Sequence, residues 1–258
     1  MAMTKSQIYT LFGFGVLVLL LMAMRTKPQD LLKKEKDRSL NLQSTDVNIL
    51  KQEAAATLSD NNKARIQILE SQIAEADEDT VDEIYKDLSS VWYDAGEIAI
   101  AGHYAEEVAA KNQDANAWGI AGTTYALCIK RSKKEKEKSL CLSKAIEALE
   151  NAISLDPEDL SYQINRAVIL AENPPSNNPM QGVKLLLDLN KNFPKNVPVI
   201  NNIAKFAIQT NQLEKAEQRL LGAIELEPTN VMSHCLLAQL YNAKGEIDKA
   251  SIYQAKCQ

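Results

Sequence analysis

Residues 145–157 read AIEALENAISLDP, and residues 216–228 read AEQRLLGAIELEP. Ala145, Leu149, Ala152 and Pro157 are spaced 4, 3 and 5 apart, and Ala216, Leu220, Ala223 and Pro228 repeat those steps. Between them GVKLLLDLNKNFP, residues 182–194, gives Gly182, Leu186, Leu189 and Pro194 the same spacing. Steps of three and four put side chains on one stripe of a helix, and a proline past its end cannot continue it. Pro194 and Pro228 lie 34 residues apart, while Pro157 and Pro194 lie 37 apart, an insertion of three. A helix pair of this length cannot bury its apolar stripe alone, so successive pairs must stack.

The composition agrees. In 258 residues there are 9 glycines, 8 prolines and 5% aromatics, a balance that favours helices over a sandwich or barrel. The net charge of −5 gives no broad basic field to hold nucleic acid, so no nucleic-acid partner is expected. Cys128, Cys141, Cys235 and Cys257 form no CxxC pair and have no histidine at zinc-finger spacing. They read as unpaired thiols, small apolar residues that point to a reducing compartment.

The repeating positions resemble the tetratricopeptide repeat family, whose pattern sets Trp, Leu, Gly and Tyr at positions 4, 7, 8 and 11, small or apolar residues at 20, 24 and 27, and Pro at 32. Trp118, Ala121, Gly122 and Tyr125 match the first helix of a unit at 115–159. Ile200, Ile203, Ala204, Ala207 and Ala216 match at 197–230, and Leu237, Ala238, Tyr241 and Ala250 match at 231–258. Upstream, 81–114 carries Leu88, Trp92, Gly96, Ala101 and Ala105 but has Gln113 where the closing proline belongs. With a unit at 160–196, the resemblance covers 81–258, about two thirds of the chain. It implies an all-α fold, a right-handed solenoid with the first helices along a concave face.

Ahead of the repeats, Ile8–Met24 (IYTLFGFGVLVLLLMAM) carries no charge over 17 residues. As a helix it spans about 26 Å, close to the apolar thickness of a bilayer. It is longer than a signal-peptide core and lacks an A-x-A-like cleavage site, with Leu21 and Ala23 at −3 and −1. The expected organisation is therefore a transmembrane anchor at 1–27, a polar stalk and helical hairpin at 28–80, and a solenoid at 81–258. Arg25, Lys27, Lys33, Lys34, Lys36 and Arg38 follow the apolar run and outnumber Lys5 and the α-amine before it. By the positive-inside rule the repeats are expected on the cytoplasmic side, with the periplasmic side as the alternative. In the stalk, Val47, Leu50, Ala54 and Leu58 suggest one helix and Ile66, Leu69 and Ile73 a second, with a cap break at Ser59-Asp60.

The chain lacks GxxxxGK[ST], GxGxxG and HExxH, and His103 and His234 have no acid at catalytic or metal-binding spacing. The acidic run from Glu75 to Glu83 lacks the glycine and 12-residue loop of an EF-hand and reads as a helix N-terminus. No catalytic residue, cofactor or metal site is expected, and the protein is not expected to be an enzyme. Two segments stand outside the repeat pattern: KRSKKEKEK at 130–138, read as a basic helical extension and loop, and ENPPSNNP at 172–179, read as a rigid turn.

The resemblance implies that first-helix positions 2, 5, 6, 9, 12 and 13 face the groove. Here these include Tyr85, Tyr93, Asn165, Asn201, Asn202, Lys205, Gln209, Gln239 and Asn242. Side-chain amides both donate and accept, which suits a peptide backbone. Lys205 supplies the one positive charge in that set, too few for the carboxylate clamp of the chaperone-binding subgroup. The whole resembles membrane-anchored tetratricopeptide proteins of bacteria, particularly Bacteroidota. It implies an inner-membrane scaffold that holds a protein or peptide partner, or else a structural or regulatory subunit of a larger envelope assembly.

Overall fold

The structure, a computed structural model, describes residues 47–77 and 80–257. The chain divides after Ile49 into two compact units, and the second, from Leu50 onward, holds the repeats. Among the described residues, helices and turns account for all the regular structure, and there is no strand. Two short helices, α1 (Val47–Ala55) and α2 (Asp60–Ile73), precede five helix pairs. These are α3 (Thr80–Asp94) with α4 (Ile98–Asn112), α5 (Ala115–Arg131) with α6 (Glu135–Leu155), α7 (Leu160–Glu172) with α8 (Gln181–Asn192), α9 (Val197–Gln209) with α10 (Leu213–Leu226), and α11 (Val231–Lys244) with α12 (Ile247–Gln254). From α2 onward each helix packs on the next, and successive first helices from α5 onward also touch, which is the contact pattern of a solenoid.

The turns recur as regularly as the stripes. After each closing proline an Asp or Asn stands two residues on and caps the next first helix. Asp159 accepts from the Ser161 N–H (2.8 Å), Asn196 from Val199 (3.0 Å) and Asn230 from Ser233 (3.0 Å). The unit without a proline uses a left-handed Gln113 (φ 49°) and the cap Asp114, which accepts from Ala117 at 3.0 Å. Inside three pairs the turn places a left-handed residue two positions before the second helix: Gly96 (φ 86°), Asn211 (φ 58°) and Gly245 (φ 77°). Glycine and asparagine adopt this conformation at least cost.

Packing follows the size pattern of the sequence. Leu149, Leu186 and Leu220, the leucines four residues into the quoted stretches, are fully buried, as are Ala145, Ala152, Ala216 and Ala223. Truncating such a leucine to alanine costs about 2–5 kcal/mol. The small residues are there because something large lies across them. A Cβ on Gly122 would meet Leu149 Cγ at 2.7 Å, and one on Gly119 would meet the Tyr162 ring at 2.4 Å. Successive pairs are pinned by buried tyrosines. The Tyr125 hydroxyl donates to Glu106 Oε2 (2.7 Å) while Lys144 holds Oε1 (2.7 Å). Tyr241 and Lys244 grip the two oxygens of Glu217 in the same way, at 2.7 and 2.6 Å.

The two leading helices are fastened to the first pair. Ser59 caps α2 by accepting from the Asn62 N–H at 3.2 Å. Lys51 bridges to Glu70 (2.8 Å) and donates to the Tyr104 hydroxyl (2.6 Å), which in turn reaches Glu70 (3.0 Å). The acidic run behaves as a helix start: Asp77 accepts from the Thr80 N–H at 2.9 Å, and Asp82 and Glu83 lie in the first turn of α3.

One expectation is overturned. The cysteines are not free thiols: Cys128 on α5 is bonded to Cys141 on α6, and Cys235 on α11 to Cys257, with Cα–Cα distances of 6.1 and 4.9 Å. Each bond staples the two arms of one hairpin. Closing loops of this size stabilises by roughly 3 kcal/mol apiece through the unfolded chain. The expected anchor, Ile8–Met24, lies outside the described residues. Among those described, no helix is long and apolar enough to cross a membrane.

Candidate functional site

Two hollows among the described residues lie between first helices. One, about 490 Å³, is bounded by α3 (Lys86, Ser89, Ser90, Tyr93) and α5 (Asn116, Ala117, Ile120). Ala105, Val108 and Asn112 of α4, with Asp114, complete its lining. The small side chains of Ala105 and Ala117 leave the space, and Val108 and Ile120 make it apolar. Tyr93 and Ile120 are 42% and 52% exposed, large apolar surfaces turned to solvent beside hydroxyl and amide groups. The Arg131 guanidinium carbon lies 5.9 Å from the centre of the Tyr93 ring. Lys86 is drawn to Glu83 at 2.6 Å, and that hydrogen bond holds its pKa above the usual lysine value.

The other hollow, about 480 Å³, is bounded by α5 (Thr123, Ala126, Leu127, Lys130) and α7 (Asn165, Val168, Ile169, Glu172). Glu172 is shared by two lysines, receiving Lys205 from α9 at 2.6 Å and Lys130 at 3.8 Å. The arrangement offers apolar floor with donors and acceptors above it. That chemistry suits an extended chain.

The sequence-derived residues divide. Tyr93 and Asn165 line the two hollows. Lys205 faces Glu172 rather than open solvent. Tyr85 is half-buried against the Tyr104 ring, with centroids 5.9 Å apart. Asn202 turns its amide back on its own helix, donating to Pro198 O at 2.9 Å. Gln209, Gln239 and Asn242 are exposed. Asn201 is a correction: it is 3% exposed and bonded to Asn230 and Ser233 at the start of the next first helix. Position 5 of α9 faces the neighbouring unit, so this amide serves the stack. Lining residues that the sequence reading passed over, among them Lys86, Ser89, Asn116 and Ile120, occupy positions 6, 9, 2 and 6 of their units. The same inward-position rule reaches all four.

The basic extension is paired in part. Lys134 pairs with Glu53 at 2.5 Å and Lys138 with Glu135 at 2.8 Å. His103 on α4 does have an acid near it, Glu107 at 3.9 Å, yet burial lowers the imidazole pKa, and the ring lines neither hollow. Among the described residues no group of three or more His, Cys, Asp or Glu is arranged to hold a metal ion.

Residues 220–250, from the middle of α10 to α12, match the family profile described as a tetratricopeptide repeat. Those 31 residues carry a tetratricopeptide repeat. The chain's repeats are similar to those of several solved structures. MamA from Desulfovibrio magneticus RS-1, residues 41 to the end, is 16% identical, with 70% of this chain and 94% of that chain covered and a TM-score of 0.45. PilW, described as a widely conserved type IV pilus biogenesis factor, is 18% identical over 69% of this chain and 76% of its own chain, TM-score 0.47. YrrB, described as having an unusual peptide-binding site, is 15% identical over 73% and 90%, TM-score 0.39. With TM-scores below 0.5, none of these likenesses bears on function. A search of curated proteins found no match.

Proposed function

We propose that this protein is a membrane-tethered scaffold that holds a protein or peptide partner against its first helices and performs no catalysis of its own. The observation that carries the reading is the hollow between α3 and α5, where exposed Tyr93 and Ile120 flank Ser89, Ser90 and Asn116. An extended segment laid there buries one apolar side chain on Val108 and Ala117 and finds hydroxyl and amide partners for its backbone. The tether is the uncharged run Ile8–Met24. A second reading, a permanent subunit of an envelope assembly, draws on the last pair: Val231, Met232, Ile247 and Ile252 are 48–60% exposed, apolar surface of the kind that obligate interfaces cover.

The test uses the full chain in detergent and three variants. One carries Tyr93→Ala with Ile120→Ala, one carries Gln at Lys133, Lys134, Lys136 and Lys138, and one carries Ser at Met232 and Ile252. Loss of the co-purifying partner in the first variant alone supports the groove. Loss in the third alone supports the permanent subunit, and loss in the second alone rejects both.

A further inference from the structure

The four cysteines take no part in the groove, yet all of them are paired. We infer that the repeats reside on the oxidising, extracytoplasmic side of the membrane, so that the partner they hold is an extracytoplasmic protein or peptide. This placement rests on the scaffold reading only for the partner, and it reverses the cytoplasmic location expected from the flanking charges.

The pattern of pairing is the reason. Cysteines used as small apolar residues would fall at scattered inward positions. Here each bond joins the first and second arm of a single hairpin, with both Cα–Cα distances, 6.1 and 4.9 Å, inside the range a disulfide spans. No thiol is left over. The bonds also sit at the two pairs whose helix lengths depart most from the rest. Cys128–Cys141 closes the pair lengthened by the inserted basic segment, with helices of 17 and 21 residues against 12 to 15 in most others. Cys235–Cys257 ties down α12, which has only 8 residues. A staple is useful at those two places, and it is useful only where it persists. Cytosolic thiol pools keep such pairs reduced, whereas secreted and periplasmic proteins keep them oxidised.

Each bond forms by exchange with a disulfide donor. Two protein thiols give up two protons and two electrons, the new S–S bond forms, and the donor disulfide is reduced to two thiols. The opposing signal is weaker than it looks. Asp30, Glu35 and Asp37 are interleaved with the basic flank, and large domains translocate largely regardless of charge.

The full chain, expressed in a host with a reducing cytoplasm, is quenched in acid, denatured and treated with a polyethylene-glycol maleimide, with and without prior reduction. The same chain is fused after Gln258 to alkaline phosphatase, which is active only once exported. The expected result is no mass-tagged thiol before reduction, four after it, and an active phosphatase. Tagging at four thiols without reduction overturns the inference, as does an inactive fusion. Neither readout depends on the groove, so the scaffold reading stands or falls separately through the Tyr93 and Ile120 variant.

Discussion

The hydroxyl of Ser233 lies 2.9 Å from the amide oxygen of Asn201, a buried hydrogen bond between the first helices of two successive repeats. The Asn201 amide nitrogen donates in turn to Asn230 Oδ1 at 3.2 Å, the same oxygen that caps α11. One side chain thus couples a helix cap to the repeat before it. Asn201→Ala removes both bonds between the repeats and leaves the Ser233 hydroxyl with Asn230 Oδ1 alone, at 3.0 Å, at an expected cost of about 1 kcal/mol. Asn202→Ala gives up only a bond to its own helix at Pro198 and should stay within about 0.5 kcal/mol of the parent. Urea denaturation of the two variants compares them directly. Equal midpoints would mean that Asn201 does not hold the stack.

Two glycines give opposite results on the same substitution. A Cβ on Gly182 would lie 2.2 Å from Ala171 N and 2.5 Å from Ala167 O, backbone atoms of α7 that cannot step aside. Gly182→Ala should force α8 away from α7 and cost about 1–3 kcal/mol. Gly222, inside α10, has nothing within 4 Å of its missing Cβ. Alanine there should stabilise by about 0.5–1 kcal/mol through helix propensity and a less free unfolded chain. Thermal melts followed by circular dichroism would read both signs.

The two glycines also mark how much the sequence makes legible. Gly182 stands in the 4, 3, 5 spacing, and that spacing alone locates the close helix contact, the buried leucine and the turn. Packing between adjacent helices is local, so its signature is local. The cap two residues beyond each proline is equally readable at Asp159, Asn196 and Asn230. What the pattern hides is contact between units. Asn201 and Tyr93 are both inward-position polar or aromatic residues, yet one is sealed by the next repeat and the other stays open. The difference depends on how far neighbouring first helices splay, which no single repeat encodes. The disulfides were within reach: folding the hairpin about Lys133 and Lys134 brings Cys128 across from Cys141. Reading each cysteine singly as an apolar residue is what concealed them.

Titration offers a last prediction, at the lock between α10 and α11. The hydrogen bond from Lys244, and after it the one from Tyr241, holds the Glu217 carboxyl below its ordinary value of 4.5. A carboxyl whose folded pKa is depressed stabilises the protein fully above the unfolded value. That contribution fades as pH falls through the folded one. The stability gap between the parent and Glu217→Gln should therefore be constant from pH 7 down to about 5 and shrink steadily below about 4.5. The glutamine variant still accepts from Tyr241, so the fold survives and the comparison isolates the charge. Lys244→Met should narrow the gap at neutral pH, since it removes the first cause of the shift and leaves the Tyr241 hydrogen bond. A gap that stayed level from about pH 6 to about pH 3 would mean that the carboxylate is not engaged as the 2.6 and 2.7 Å contacts imply.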